Sequence, residues 1–173
     1  IIDFNWEHPL VAVRTRFIAD LGADHLLMEL RWKAKDALRT LKIGFCCYPQ
    51  GYRAGEPDRL KGLGLSRCVT TPEGRIPQGQ NQLLDPSSDW WLLYHDIVNE
   101  KSRQGANFSG PCALMFVPDE WKETLDNVNP ERIRLNVTDY QVETEFDLDL
   151  GLDAAHFAIW DFGESQAVVK ARE

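Results

Sequence analysis

A histidine stands beside a carboxylate at Tyr94-His95-Asp96, which is the composition of a general base and its orienting group. Successive residues of a strand point to opposite faces, so His95 and Asp96 do not pair directly if this strand is regular. The chain also lacks the G-x-S-x-G elbow of a serine nucleophile. We therefore predict no catalytic residue, and a hydrolase that uses His95 or an acidic pair is the alternative function.

Acidic residues alternate with apolar ones near the carboxyl end, where they could bind a hard cation. The acidic positions are Glu143, Glu145, Asp147 and Asp149. With Gly151 and Asp153 they give a D-x-D-x-G-x-D spacing, and carboxylate oxygens are what Ca²⁺ binds. The intervening leucines would be exposed in a coordination loop but buried in a strand. We predict the solvated outer face of an edge strand, with calcium as the alternative, and we expect no metal or cofactor.

Aromatic residues beside polar ones could bind a sugar, because the apolar face of a sugar ring stacks on an aromatic ring while nearby polar groups bind its hydroxyls. One of Trp90 and Trp91 should belong to the core and the other could be exposed, since neighbours in a strand diverge. The candidate ligand-binding residues are Tyr48, Tyr52, Arg53, Trp91, Tyr94, His95 and Asp96. They predict a carbohydrate ligand.

The four cysteines show no metal-ligand spacing. Cys46, Cys47, Cys68 and Cys112 include no C-x-x-C pair, and no histidine lies at a zinc-finger distance. Cys46 and Cys47 should point to opposite faces of a strand. We predict buried thiols, with one disulfide involving Cys68 or Cys112 as the alternative.

Composition and charge exclude two classes of partner. The 27 acidic and 19 basic residues give a net charge of −8, and the richest basic stretch, residues 31–39, is interrupted by Asp36. Nucleic acid is therefore not an expected partner. No apolar run approaches the roughly 20 residues of a membrane-spanning helix, so we expect no membrane span. The apolar share of 43% is that of a globular chain.

The elements that must position these residues are mostly strands. Apolar and polar side chains alternate over residues 10–20, 26–33 and 39–48, which is the period of a strand with one buried face. Residues 24–41 also fit a helical stripe, but a helix would turn Trp32 away from that stripe, so we favour the strand. The first two segments should form a hairpin.

The rest of the chain repeats this pattern with interruptions. Residues 50–88 are rich in glycine and proline and are predicted to form a long exposed excursion. Residues 90–98 and 111–117 are apolar on both faces and should be the innermost strands. Asp119 can cap a short helix over 119–128. Further strands are expected over 132–137, 140–150, 156–162 and 166–171, with a bulge or tight turn near Thr138 and Asp139 where the alternation slips by one residue.

These elements predict an all-β, mainly antiparallel fold: a two-sheet sandwich of eight to ten strands, jelly-roll or immunoglobulin-like, in one domain over residues 1–173. Because the chain begins at Ile1 and not at a methionine, we expect it to belong to a larger polypeptide. The layout is similar to that of accessory modules of secreted or carbohydrate-active proteins, which implies an extracytoplasmic location. We predict a non-catalytic binding module for carbohydrate, and the second alternative is a structural domain that packs against neighbouring domains of the chain.

Overall fold

The computed structural model describes residues 1–48, 66–97, 112–121 and 132–161. These residues form twelve strands and one 3₁₀ turn, Pro118–Glu120. In chain order the strands are β1 (Ile2–His8), β2 (Val11–Ala19), β3 (His25–Ala34), β4 (Lys42–Cys47), β5 (Ser66–Thr71), β6 (Gly74–Pro77), β7 (Asn81–Leu83), β8 (Trp91–Ile97), β9 (Cys112–Phe116), β10 (Ile133–Val137), β11 (Val142–Asp147) and β12 (Ala154–Asp161).

The strands form two antiparallel sheets. The large sheet has the order β1-β2-β3-β12-β9-β8-β5-β6, and the small sheet has the order β4-β11-β10-β7. The small sheet packs on the middle of the large one through aromatic contacts, as between Phe45 of β4 and Phe157 of β12, whose ring centroids are 4.8 Å apart. The predicted two-sheet β-sandwich is confirmed, with more strands than the eight to ten expected.

Strand β3 shows why alternation predicted the fold. Met28, Leu30 and Trp32 are buried on one face, whereas Arg31 and Lys33 are exposed on the other. The hairpin of β2 and β3 pairs along its whole length, with Val13 opposite Trp32. The competing helix is therefore wrong, and Trp32 lies in the core.

An aromatic cluster fills the space between the sheets. Phe146 of β11 is fully buried and packs against four other rings at centroid distances of 4.9 to 5.7 Å. These rings belong to Phe45, Phe116, Trp121 and Phe157. Because they come from both sheets and from the residue after the 3₁₀ turn, the cluster joins the two layers.

A disulfide also joins the layers. Cys47 of β4 and Cys112 of β9 are bonded across the interface between the sheets. The prediction of four thiols is wrong for this pair, and the alternative of a disulfide that includes Cys112 is confirmed. Cys46 and Cys68 remain thiols. Cys68 is buried as predicted, whereas Cys46 is exposed, so the prediction of a buried thiol is wrong for Cys46. Its exposure agrees with the expectation that Cys46 and Cys47 point to opposite faces.

Residues 50–88 do not form one long exposed excursion, and that prediction is wrong over its second half. Strands β5, β6 and β7 lie there, and Val69, Ile76 and Leu84 are buried. The glycines mark turns: Gly74 has a φ of +137°, a conformation that favours glycine, where the chain reverses between β5 and β6. Residues 49–65 lie outside the described part of the chain.

Two other expectations concern the ends of strands. The predicted helix over 119–128 is wrong at its start, where the chain makes a 3₁₀ turn closed by a hydrogen bond from the Trp121 N–H to the Pro118 carbonyl. Residues 122–131 and the predicted strand over 166–171 lie outside the described residues.

The tight turn near Thr138 is confirmed, since the Thr138 hydroxyl oxygen accepts hydrogen bonds from the N–H groups of Tyr140 and Gln141 between β10 and β11.

The innermost strands are placed as predicted. β9 pairs with β12 and β8, and β8 pairs with β9 and β5, so both lie inside the large sheet.

Across the described ranges, no helix has the length and apolar character that crossing a membrane requires.

Candidate functional site

Tyr94, a predicted ligand-binding residue, belongs to the core. Its side chain is buried, and its hydroxyl lies 2.8 Å from the Thr144 hydroxyl of the small sheet. Burial raises the pKa of Tyr94 well above its ordinary value, because the phenolate would lose its hydration. This tyrosine ties the two sheets together and presents no ring face to a ligand.

The Tyr94–Thr144 hydrogen bond gives a stability prediction. We expect Tyr94→Phe to lower the free energy of unfolding by about 1–2 kcal/mol, because it leaves the buried Thr144 hydroxyl without this partner. Thr144→Val should cost a similar amount, and the double variant should cost less than the sum of the two. Urea denaturation of the four proteins measures this coupling. Additive effects would show that the two hydroxyls do not stabilise one another.

His95 points away from Tyr94, to the outer face of the large sheet, yet it is only 8% exposed. Its Nε2 lies 2.9 Å from the Thr70 hydroxyl of the neighbouring strand. The strand is regular here, with His95 opposite Cys68 and Asp96 opposite Arg67. The backbone thus has the alternation that separates His95 from Asp96, whose side chain lies outside the described part of the structure.

Trp91 begins β8 opposite Met115 and is half-buried. Its neighbour Trp90 is 40% exposed. The expectation that one of this pair belongs to the core is wrong, because the pair lies where the strand begins and neither ring is enclosed between the layers. Tyr52 and Arg53 lie outside the described residues.

Tyr48 lies at the end of β4 in the small sheet. Its hydroxyl donates to the side-chain oxygen of Gln141 at 2.5 Å, and its ring stands nearly perpendicular to that of Tyr140 at 5.7 Å. The Gln141 amide in turn donates to the Glu143 carboxylate. We call Tyr48, Tyr140, Gln141 and Glu143 the Tyr48 corner. It is in a different sheet from Trp91 and His95, so those of the predicted ligand-binding residues that the structure describes do not lie in one site.

The acidic row lies along β11, with Val142, Thr144 and Phe146 buried between the acidic positions. The strand pairs with β4 and β10, so the prediction of an edge strand is wrong. Glu145 accepts a hydrogen bond from Lys42 at 2.7 Å, and this bond raises the pKa of the lysine.

At the end of the row, Asp149 makes a buried ion pair with Arg132 at 3.1 Å and accepts the Gly151 N–H. These contacts use the carboxylate within the fold. Within the described ranges, no three acidic, histidine or cysteine side chains come together as metal ligands would.

An exposed apolar surface lies on β1, a strand that the sequence patterns above did not predict. Ile2, Phe4 and Trp6 project from one face of this strand and are 60%, 50% and 68% exposed. We call these three side chains, with the half-buried Val13 and Phe17 of β2, the β1 strip. Alternation of apolar and polar residues is visible over residues 2–8, and it was the signal that could have identified this strand.

The β1 strip continues the core face of the large sheet. The strand registers place Trp6 beside Val13 and Val13 beside Trp32, and the row through Phe17 likewise runs from Ile2 to Met28. Along each row the β3 residue is buried, the β2 residue is half-buried and the β1 residue is exposed. In the described part of the chain the small sheet has four strands and the large sheet eight, so the small sheet covers only part of this apolar face, and the part on β1 is exposed to solvent.

The opposite face of β1 and β2 is charged. Asp3 forms ion pairs with Arg14 at 3.1 Å and with Arg16 at 2.8 Å. A shallow cleft of about 320 Å³ crosses this face, with Glu7 on one side and Lys33 on the other. Both lie in register with the small Ala12, which leaves room between them. The two faces of β1 thus offer different chemistry to a neighbour.

No protein-family model, curated protein or solved structure matches this chain.

Proposed function

We propose that this chain is a non-catalytic binding module that docks a partner polypeptide on the β1 strip. The observation that carries the proposal is the exposure of Ile2, Phe4 and Trp6 on a face that is continuous with the core. Aromatic side chains bury roughly 150–250 Å² each, so the exposed parts of Phe4 and Trp6, with Ile2 beside them, make a patch of a few hundred Å², the size at which exposed apolar patches mark interaction sites.

The shape and chemistry of the β1 strip favour a polypeptide over a sugar. The rings of Phe4 and Phe17 meet edge to face, at 81°, and do not form a flat platform. Polar groups that could bind sugar hydroxyls are scarce on this face, where Thr15 is buried between Phe4 and Leu30. An apolar side chain of a partner needs no such groups.

A binding assay on immobilised peptides tests the proposal. We expect the wild-type protein to bind peptides that alternate apolar and polar residues, and Phe4→Ser/Trp6→Ser to bind at least about tenfold more weakly, because central aromatic side chains dominate interface energies. Leu27→Ser/Leu83→Ser is the matched control. It removes two apolar side chains that are also exposed, on other surfaces, and should bind like wild type.

Equal binding by the two double variants would contradict docking on the β1 strip. Thermal denaturation of each variant establishes that it is folded. The same proteins are also run on columns of insoluble polysaccharide, which tests for a carbohydrate ligand. If wild type is retained there and Phe4→Ser/Trp6→Ser is not, the ligand of the β1 strip is a carbohydrate and not a polypeptide.

A carbohydrate site at the Tyr48 corner is the second candidate. It is supported by an aromatic ring, that of Tyr140, which is 38% exposed beside the hydrogen-bonding side chains of Gln141 and Glu143. Polysaccharide retention that is lost in Tyr140→Ala and kept in Phe4→Ser/Trp6→Ser would establish this candidate. We do not propose hydrolysis at His95, because its imidazole is nearly enclosed and hydrogen-bonded to Thr70.

The disulfide between Cys47 and Cys112 supports an oxidising compartment as the place where the module acts, because such bonds persist outside the reducing cytosol. An accessory module of a secreted protein would meet its partner there.

A further inference from the structure

We infer that β1 receives its partner by strand addition: an extended segment of alternating apolar and basic residues pairs with the outer edge of β1 and continues the large sheet. This inference rests on the proposed function and specifies how the partner is held. It follows from the edge of the strand, from its two faces and from the charge of the chain.

The outer edge of β1 is long and contains neither proline nor lysine. Among the described residues β1 ends the large sheet, and no described strand pairs with its backbone N–H and C=O groups on that side. Natural edge strands avoid pairing with other chains when they are short, contain proline or carry charged side chains, lysine above all. β1 has seven residues, IDFNWEH, and its acidic side chains, Asp3 and Glu7, repel an acidic strand but not a basic one.

The other three edges in the described part of the sandwich differ from β1. β6 has four residues and contains Gly74 and Pro77, and β7 has only three residues. β4 contains Lys42 and Gly44 on its exposed face. β1 is therefore the edge, among those described, that is best suited to accept another strand.

The two faces of β1 define the side chains of the added strand. On the strip face its residues lie beside Ile2, Phe4 and Trp6, which favours apolar residues at every second position. On the other face they lie beside Asp3 and Glu7. Asp3 is already paired with two arginines, whereas Glu7 has no ion-pair partner among the described residues. A lysine or arginine in the partner would supply one.

Charge also argues against a second copy of this chain as the occupant. Antiparallel pairing of all seven residues of β1 with β1 of another copy is centred on Asn5 and places Asp3 of each copy opposite Glu7 of the other. Like charges directly opposite each other destabilise a strand pair. Each chain also carries a net charge of −8, so two copies repel one another, whereas a basic segment is attracted.

Fluorescence anisotropy with synthetic heptapeptides tests this inference on the whole chain. The probe alternates lysine and valine and has blocked ends. Two further versions are N-methylated at alternate residues, one at the lysines and one at the valines. In an extended strand the N–H groups of the lysines point to one edge and those of the valines to the other. Only one of the two methylated versions therefore loses its hydrogen bonds to β1. We expect that version to bind at least about tenfold more weakly and the other to bind like the unmodified peptide.

Charge variants test the role of Glu7. We expect Glu7→Gln to weaken binding of the lysine peptide several-fold and to reduce its dependence on salt, because the charge pair across the strands is lost. Glu73→Gln is the matched control, since it removes the same charge from an exposed turn between β5 and β6, and it should change nothing. A peptide with glutamate in place of lysine should bind more weakly than the lysine peptide.

The outcomes separate this inference from the proposed function. If both N-methylated peptides bind like the unmodified one while Phe4→Ser/Trp6→Ser abolishes binding, strand addition is overturned and docking on the β1 strip stands. If no peptide binds and light scattering shows a dimer that Trp6→Ser dissociates, the occupant is a second copy and the inference is overturned. If no peptide binds to a monomer, both the inference and the proposed function are overturned.

Discussion

Replacing Phe146 by alanine should lower the free energy of unfolding by about 3–5 kcal/mol, the largest loss we expect from any single core truncation in this protein. The Phe146 side chain is fully buried, and its four ring neighbours come from both layers of the sandwich. Those neighbours are held by their own strands and can close the resulting cavity only in part. Urea denaturation, with the disulfide kept intact, measures the loss.

Phe4→Ala provides the comparison for this prediction. It removes the same atoms from a half-exposed ring on the outermost strand, where the principal contact is the edge-on ring of Phe17. Its effect should stay within about 1 kcal/mol. Equal losses for the two variants would mean that the stability of the sandwich does not depend on the cluster between its sheets.

The strands that the sequence identified correctly are those whose burial alternates. In β3 and in β11 every second residue is buried, so the period of two shows in the residue types as well as in the structure. The position of Trp32 decided between strand and helix because burying so large a side chain outweighs a weak helical stripe.

Three of the four strands that the sequence did not identify, β1, β6 and β7, are short or lie at an edge, whereas the fourth, β5, has six residues and lies between β8 and β6. β6 and β7 have four and three residues, too few to show a period, and glycine and proline beside them predict a loop. What makes them strands is pairing with distant partners, as when β7 pairs with β10 more than fifty residues later. A local pattern does not contain that information.

The candidate site was the least predictable feature, because a residue type does not specify which surfaces a fold leaves uncovered. Tyr94 and Trp6 are both aromatic residues within a strand, and both lie on the face of the large sheet that is continuous with the core. The first is buried because the small sheet covers β8, and the second is exposed because that sheet does not extend to β1. The relative widths of the two sheets, which no single segment encodes, decide between core and binding surface.

Breaking the disulfide between Cys47 and Cys112 should lower the free energy of unfolding by about 2–4 kcal/mol. The bond spans 65 residues and joins the small sheet to the large one. In the chain-entropy account, closing a loop of this length restricts the unfolded chain by about 4 kcal/mol, and engineered and native bonds often deliver less. Cys47→Ser and Cys112→Ser should each show the loss in urea denaturation, and reduction of the wild-type protein should reproduce it.

Cys46→Ser is the control for the disulfide, because it changes the adjacent residue on the same strand without touching the bond. The Cys46 thiol is exposed on the outer face of the small sheet, so its replacement should change stability by less than about 0.5 kcal/mol. If reduction leaves the unfolding midpoint of wild type unchanged, the disulfide does not contribute to holding the two sheets together. A loss in Cys46→Ser as large as that in Cys47→Ser would instead indicate that Cys46 forms the bond to β9.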